Sequence, residues 1–424
     1  MNNYLCLILF FTNSLFKIAI VFIIIYIIMF FVYFIYLYIF DKYKVLLYST
    51  NINIKNLYYD LKFIPTFYLP FSILQSIVMF LLNKNKIYYK RKYIITNKNI
   101  TISLDFALTT NNSKNLVLII HGFTGGSETS YVKSLTNKLT QYKYNVVIAH
   151  YRGVNDTPMS TNIGYHCDLI EDTEYVIEYI KSCNFLQYNK TKKILIKKSS
   201  INKNILKANN NYNINKFHLI GISNGANICS KILGSNKIYY SKFILSFVSV
   251  SNPFDFNAMQ KYNHLNFLDR FILYRCKLIV SKHPILYTNK NLNIDKVKNV
   301  KSSKEFNENY SLIMFNDINK INNKNANFKD ESNQLNYKTL EEYYNSASCR
   351  NKLINIDVDS LFINSDQDGL NYYCKDELKH ITDINKKLNF IITSHGGHVS
   401  WSEGTFKLNR WYEDVLIKFI NNYN

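Results

Sequence analysis

Acidic residues are scarce in this chain. Against 51 Lys+Arg stand 30 Asp+Glu, a formal net charge of +21 over 424 residues. Such a balance attracts nucleic acid or an anionic membrane surface, yet neither a nucleic-acid motif nor a pattern of stacking aromatics accompanies it. Much of the excess lies in Asn/Lys-rich stretches such as 190–207, which holds no acid. Asn, Lys, Ile and Tyr are enriched throughout, as an AT-rich coding sequence would produce. No nucleic-acid partner is expected. Ordered cysteine spacing is also missing. The seven cysteines (Cys6, Cys167, Cys183, Cys229, Cys276, Cys349, Cys374) contain no Cys-x-x-Cys pair and no zinc spacing. An odd, dispersed set argues against a disulfide scaffold and fits a reducing compartment. There is no internal repeat, and no cofactor or metal is expected.

What is present is apolar: 47% of residues are hydrophobic and 16% aromatic, ample for a large core. From Ile18 to Phe40 there is no charge at all. That run exceeds the roughly 20 residues that span a bilayer as a helix. A signal peptide has a shorter apolar region, ~7–15 residues, and a small-residue cleavage site. Residues 1–41 are therefore expected to form an uncleaved transmembrane anchor. Lys42, Lys44 and Lys55 follow it and Lys17 alone precedes it, so the positive-inside rule puts the following domain on the cytosolic side. Residues 42–87 form a membrane-proximal segment whose apolar stretch, Phe63 to Leu82, contains Pro65 and Pro70. Two prolines oppose a second straight span. A helix lying on the membrane, or packed on the domain near the substrate entrance, is expected instead.

The globular domain is expected over 88–424. Ile100 to Leu108 alternates like a strand. Short apolar runs at 116–120, 145–149, 217–222, 243–250, 358–364 and 388–393 read as further strands. Cys167 to Ile180, Asn227 to Leu233 and Phe406 to Ile420 read as helices. Short apolar strands alternating with helices imply an α/β fold, a mostly parallel sheet covered on both faces. Two polar segments, about 184–215 and 291–338, have few core-forming residues and are expected to be disordered insertions.

Chemistry enters at Gly221-Ile222-Ser223-Asn224-Gly225, between an apolar strand and a helix. In that setting Gly-x-Ser-x-Gly reads as a nucleophile elbow, a sharp turn that presents the serine hydroxyl above the sheet edge. The motif alone is common by chance. A serine nucleophile of this kind needs an acid and then a histidine downstream. Asp366 and Asp368 follow the strand 358–364, and His395 and His398 follow the strand 388–393. The order is met, and each candidate lies just beyond the C-terminal end of a strand, where parallel sheets build their sites. The histidine would take the serine proton, and the acid would fix its tautomer. The oxyanion of a tetrahedral intermediate needs backbone donors: the N–H of Asn224, and one from the loop His121-Gly122-Phe123-Thr124-Gly125-Gly126, where Phe123 is the candidate. Taken singly, each feature has a structural reading, a strand-ending turn or a solvated acid. Together, in this order, they point to acyl transfer.

The chain resembles the membrane-anchored, abhydrolase-domain lipases and esterases of the α/β-hydrolases and their bacterial YheT-like relatives. The resemblance rests on Pro70-Phe71-Ser72-Ile73-Leu74-Gln75-Ser76-Ile77, on the 121–128 loop with Ser130-Tyr131-Val132, and on Tyr151-Arg152-Gly153. Further matches are Ser251-Asn252-Pro253-Phe254-Asp255, Glu342-Tyr343-Tyr344 with Ala347-Ser348, and His395-Gly396-Gly397-His398 with Glu403-Gly404. It implies that the histidine after Gly-Gly, His398, is the catalytic one. It assigns the acid to Asp368, with Asp366 as the alternative, because the family's Asp-Asp pair falls on Gln367 and Asp368. The implied activity is hydrolysis of carboxylic esters, often of acyl lipids; separately, the anchor and the apolar 63–82 stretch fit a lipid substrate delivered from the bilayer. Two rival functions use the same fold: a catalytically silent binding protein, and an acyltransferase with the same three residues.

Overall fold

The computed structural model describes residues 2–36, 45–69, 71–82, 86–109, 113, 115–183, 215–235, 237–263, 267–325 and 337–423. Its frame is a nine-stranded sheet: β1 Val45–Tyr48, β2 Lys90–Ile95, β3 Thr101–Ala107, β4 Leu116–Ile120, β5 Asn145–His150, β6 Phe217–Ile222, β7 Ile244–Val250, β8 Ser360–Ser365 and β9 Leu388–Thr393, in the order β1-β9-β8-β7-β6-β4-β5-β3-β2. The six strands β4 to β9 are parallel, while β2 and β3 at one edge and β1 at the other run antiparallel. Every residue of β4, β5, β6, β8 and β9 is buried. That is why these strands read as continuous apolar runs and not as alternation.

One face is closed by a cluster holding Leu118, Leu219, Ile228, Phe247 and Phe362. The other is closed by a cluster holding Val117, Val132, Ile220, Trp401 and Leu416. Helices α1 Asn2–Tyr36, α2 Ile52–Leu57, α3 Ser72–Leu81, α4 Ser130–Gln141, α5 Ile170–Ser182 and α6 Asn224–Ser235 appear in chain order before the second half. The final helix, Trp411–Asn421, packs on the sheet with Val415, Leu416 and Phe419 buried. Residues 406–410 precede this helix and are not its first turn.

Two expectations change. The segment 291–338 is not a structureless insertion over its first two-thirds. It forms short helices, Ile294–Asn299 and Ser303–Phe306, and then Leu312–Asn325. Val297, Phe306, Tyr310 and Met314 enter the main core. A few apolar residues spaced among many Asn and Lys suffice to bury one face, which average polarity conceals. Residues 42–87 are likewise not separate from the domain, since β1 pairs with β9 in the register Val45↔Thr393 to Tyr48↔Phe390. The expected insertion at 184–215 lies outside the described residues except for Asn215. The backbone N–H of Asn215 donates to the Lys181 carbonyl at 3.1 Å, so the flanks of the segment meet.

Of the two alternatives for the proline-containing stretch, α3 adopts the second. It packs on the domain with Gln75, Ser76 and Met79 buried, while Phe80 and Leu81 are exposed. The α1 stretch Leu15–Val32 is long and apolar enough to cross a membrane, with mean hydropathy 3.0 and none of it buried. It meets the body where the ring of Phe30 lies 5.9 Å from that of Phe67.

Candidate active site

Ser223 ends β6 and precedes α6. Its φ is +56°, a left-handed conformation uncommon for a non-glycine residue. The turn is held by its own N–H, which donates to the Val250 carbonyl at 2.8 Å, and by Ala226 N–H donating to its carbonyl at 2.9 Å. The flanking glycines are sterically required. A Cβ on Gly221 would lie 2.6 Å from the Ala226 Cα, and one on Gly225 2.2 Å from the Ile120 carbonyl oxygen. The elbow can form only where strand and helix nearly touch.

His398 Nε2 lies 2.9 Å from Ser223 Oγ, and its Nδ1 lies 2.9 and 3.0 Å from the two carboxylate oxygens of Asp368. The three side chains come from the ends of β6, β8 and β9. Asp368 is buried, and it also accepts the Leu370 N–H at 3.0 Å. Its alternative stands elsewhere: Asp366 pairs with Lys375 at 2.6 Å and accepts from Tyr373 at 2.9 Å. His395 is buried and contacts Ser394 at 2.9 Å, away from the serine. The residue after the histidine, Val399, has φ +52°, costly for a β-branched side chain. It is held there by its N–H donating to Ser251 Oγ at 3.0 Å.

The loop after β4 lies against the serine. A Cβ on Gly122 would come within 3.1 Å of Ser223 Cβ. Gly122 N–H donates to Tyr131 Oη at 3.1 Å, and Gly125 N–H to the Gly122 carbonyl at 3.0 Å. The Phe123 and Asn224 backbone N–H groups donate to no other group among the described residues. The Asn224 side chain is turned away and donates to Tyr165 Oη at 2.8 Å. Tyr165 stacks on Tyr151 at 4.1 Å and meets the tilted ring of Phe123 at 4.7 Å, and Tyr151 donates to the His121 carbonyl at 2.9 Å. Arg152 pairs with Asp172 inside the protein and ties this aromatic stack to α5.

Beneath the loop is a buried polar cluster. Burial opposes ionisation of Asp105, but Arg91, His150 and Ser127 together hold its carboxyl well below the usual range. Burial, reinforced by His150, drives His121 down to about 3, so it is neutral and donates from Nδ1 to the Gly122 carbonyl at 2.8 Å. Ser127 Oγ donates to Asp105 at 2.6 Å, and Asn155 donates to Ser127 at 3.1 Å. These contacts fix the loop from below.

Two cavities meet at Ser223. The larger, about 290 Å³, is lined by α3, the 122–125 loop, His398 and the helix Phe267–Ser281. The smaller, about 90 Å³, is lined by Phe123, Asn224, Phe256, Met259 and Phe306. No cluster of His, Cys, Asp and Glu suited to a metal occurs among the described residues. The site residues absent from the sequence reading are Ser251, Tyr131, Arg275 and Arg410. Ser251 and Tyr131 stand in recognisable motifs without an indicated role. Arg275 and Arg410 have no local pattern that could have marked them.

A serine hydroxyl hydrogen-bonded to an imidazole that is itself held by a buried carboxylate can be deprotonated as it attacks an acyl carbon. The fold and this array define a class: over residues 115–405 the sequence matches the family described as alpha/beta hydrolase fold, and the chain belongs to it. Its relatives include monoacylglycerol lipase of Saccharomyces cerevisiae, 24% identical over 74% of this chain and 61% of that protein, and phospholipase ABHD3 of Bos taurus, 23% identical over 80% of this chain and 72% of that protein. The chain thus spans less than two-thirds of the yeast lipase. A Pyrococcus furiosus esterase structure is similar with 16% identity and a TM-score of 0.43, covering 80% of this chain and 92% of that one.

Proposed function

We propose that this protein is a serine hydrolase that cleaves carboxylic esters of acyl lipids through an acyl-enzyme and is anchored in a membrane by α1. Ser223 is the nucleophile, His398 the general base and then acid, and Asp368 the residue that holds the imidazolium. The observation that carries the reading is the unbroken relay Ser223–His398–Asp368, with both hydrogen bonds at 2.9 Å. The backbone N–H groups of Phe123 and Asn224 receive the oxyanion, and losing one such donor typically costs ~10²–10³ in rate.

His398 must hand its proton to the departing alcohol, so the alcohol half lies in the cavity that His398 lines, the larger one. The acyl chain then enters the smaller, apolar cavity, whose lining does not include His398. The larger cavity is walled by α3, whose exposed Phe80 and Leu81 stand at its rim. Lipid drawn from the bilayer beside α1 has a short path to it. The lysines following α1 support a cytosolic side for the domain by the positive-inside rule. Purified full-length protein should hydrolyse acyl esters of graded chain length, and Ser223→Ala should abolish this. Turnover that survives Ser223→Ala would overturn the assignment.

A further inference from the structure

The larger cavity at Ser223 is mostly apolar but carries electropositive groups on its walls. Arg275 and Arg410 are among its lining residues, and no Asp or Glu is. Thr129, Ser130 and Tyr131 at the start of α4 also line it. The first turn of α4 holds no acid, and Thr129 makes no side-chain cap. Its hydroxyl donates instead to the Gly126 carbonyl at 2.6 Å.

Arg410 carries the argument. It is 5% exposed, and its Nε is buried without a hydrogen-bond partner. Its Nη2 donates to the Met79 carbonyl at 2.5 Å and to Ser130 Oγ at 3.0 Å, both neutral. A guanidinium does not lose its proton in a protein, and a buried charge without a counter-charge is costly. Arg91, Arg152 and Arg350 each pair with a carboxylate, but Arg275 and Arg410 make no such pair among the described residues. The neighbouring Glu413 is a weak counter-ion: burial, against the pull of Arg410, pushes its carboxyl up to about 7. Arg275 Nη2 donates to the Thr124 carbonyl at 3.2 Å, which sets this guanidinium beside the 122–125 loop. Arg410 also lines an adjoining cavity of about 240 Å³ with Lys138, Lys407 and Glu413, where Lys138 pairs with Asp414 at 2.6 Å.

We infer that Arg275 and Arg410 bind the phosphate of a glycerophospholipid substrate, so that the enzyme selects phosphate-bearing lipids over uncharged acylglycerols. This rests on the reading of Ser223 and His398 given above. The phosphate belongs to the alcohol half, and the alcohol half lies on the His398 side, where both arginines stand. Planar guanidinium groups match phosphate oxygens two at a time. An uncharged glycerol would leave Arg410 with only the weak Glu413 counter-charge. A free phosphate offers the same chemistry, so the test must separate the two sources.

The test uses full-length protein in detergent micelles and two substrates with the same acyl chain: a monoacylglycerol and the corresponding lysophosphatidylcholine. The quantity read is the ratio of their kcat/KM values. The phosphate ester should be favoured by on the order of 10-fold or more. Arg275→Gln should reduce that ratio by about 10-fold, and Arg275→Lys should keep most of it. Arg410→Gln should act in the same direction, and Arg275→Gln keeps the test decisive if the buried variant fails to fold. Glycerophosphocholine should compete with substrate, and inorganic phosphate should do so far more weakly. A ratio near one in the unaltered protein, a ratio unmoved by Arg275→Gln, or equal competition by inorganic phosphate would each overturn the inference. Cleavage of the monoacylglycerol without preference would leave the ester-hydrolase reading standing. Turnover of neither ester would remove both.

Discussion

Strained residues gather where the chemistry is proposed. Ser223, Ser251, Phe254 and Val399 all have positive φ, between +50° and +57°, and all lie in the loops after β6, β7 and β9. Each such residue costs about 1–3 kcal/mol and persists only where its surroundings hold it. Here Ser223 N–H is held by Val250 and Ser251 N–H by Ile363, at 2.8 and 2.9 Å, while Ser251 Oγ in turn holds Val399. Ser251→Ala should therefore lower kcat with less effect on KM, a split measurable by steady-state kinetics. The acid assignment gives a sharper contrast. Asp368→Asn should lower kcat by roughly 10⁴, as for a histidine held in the wrong tautomer. Asp366→Asn removes only an ion pair with half-exposed Lys375 and should leave kcat within about twofold. The reverse pattern would move the acid to Asp366.

Glu413 makes a prediction in pH. Its carboxyl titrates near 7 in the folded protein and near 4.5 when unfolded. Between these values the folded state binds more protons, so stability falls as pH rises from about 4.5 to 7 and then levels. Glu413→Gln should flatten that part of the thermal-stability profile and gain most above pH 7. Asp105 acts in the opposite sense: its carboxyl is held below the usual range, so its contribution is lost as pH falls below about 4.

Among the elements, the strands from β4 to β9 and the elbow were legible because their signals are local: short, buried, mostly apolar runs of five to seven residues, and for the elbow a turn of fixed glycine spacing. The edge strands β1 and β2 were not. Val45–Tyr48 is only four residues long and comes soon after the apolar run that ends at Phe40, and Lys90–Ile95 is half polar because it faces solvent. Ser223, Asp368 and His398 could be ordered in sequence, but choosing between acids two residues apart needed the turn after β8, where Asp368 N–H donates to the Ser365 carbonyl at 3.2 Å. Arg410 meets Ser130 across 280 residues, a contact no local pattern announces.

This arrangement predicts how the chain tolerates cutting. Removing residues 1–40 should leave a cooperatively folding protein. Removing 1–87 deletes β1 and α3, together with the buried Gln75 and Met79, and should abolish cooperative thermal unfolding or lower Tm strongly. The segment between 183 and 215 should be dispensable. Asn215 is bonded to Lys181 and to the Ile180 carbonyl, so a short Gly/Ser bridge over 186–212 should change Tm by only a few degrees.

At the scale of the whole molecule, α1 is overwhelmingly apolar, and none of its Leu15–Val32 stretch is buried, although it touches the body where Phe30 meets Phe67. A helix hydrophobic all round needs either a protein interior or a bilayer. Full-length protein should therefore remain with membranes through an alkaline wash, and a chain starting at residue 41 should be released into the soluble fraction with its ester hydrolysis retained. Release of the full-length chain by the wash would contradict the anchor. The proposed assignments of cavity and phosphate-binding arginines depend on Ser223 being the nucleophile. The most direct measurement is peptide mass spectrometry of the folded protein after treatment with a fluorophosphonate. A single adduct on Ser223, absent from Ser223→Ala, is the predicted result. No adduct on the folded protein, or an adduct that persists in Ser223→Ala, would contradict it.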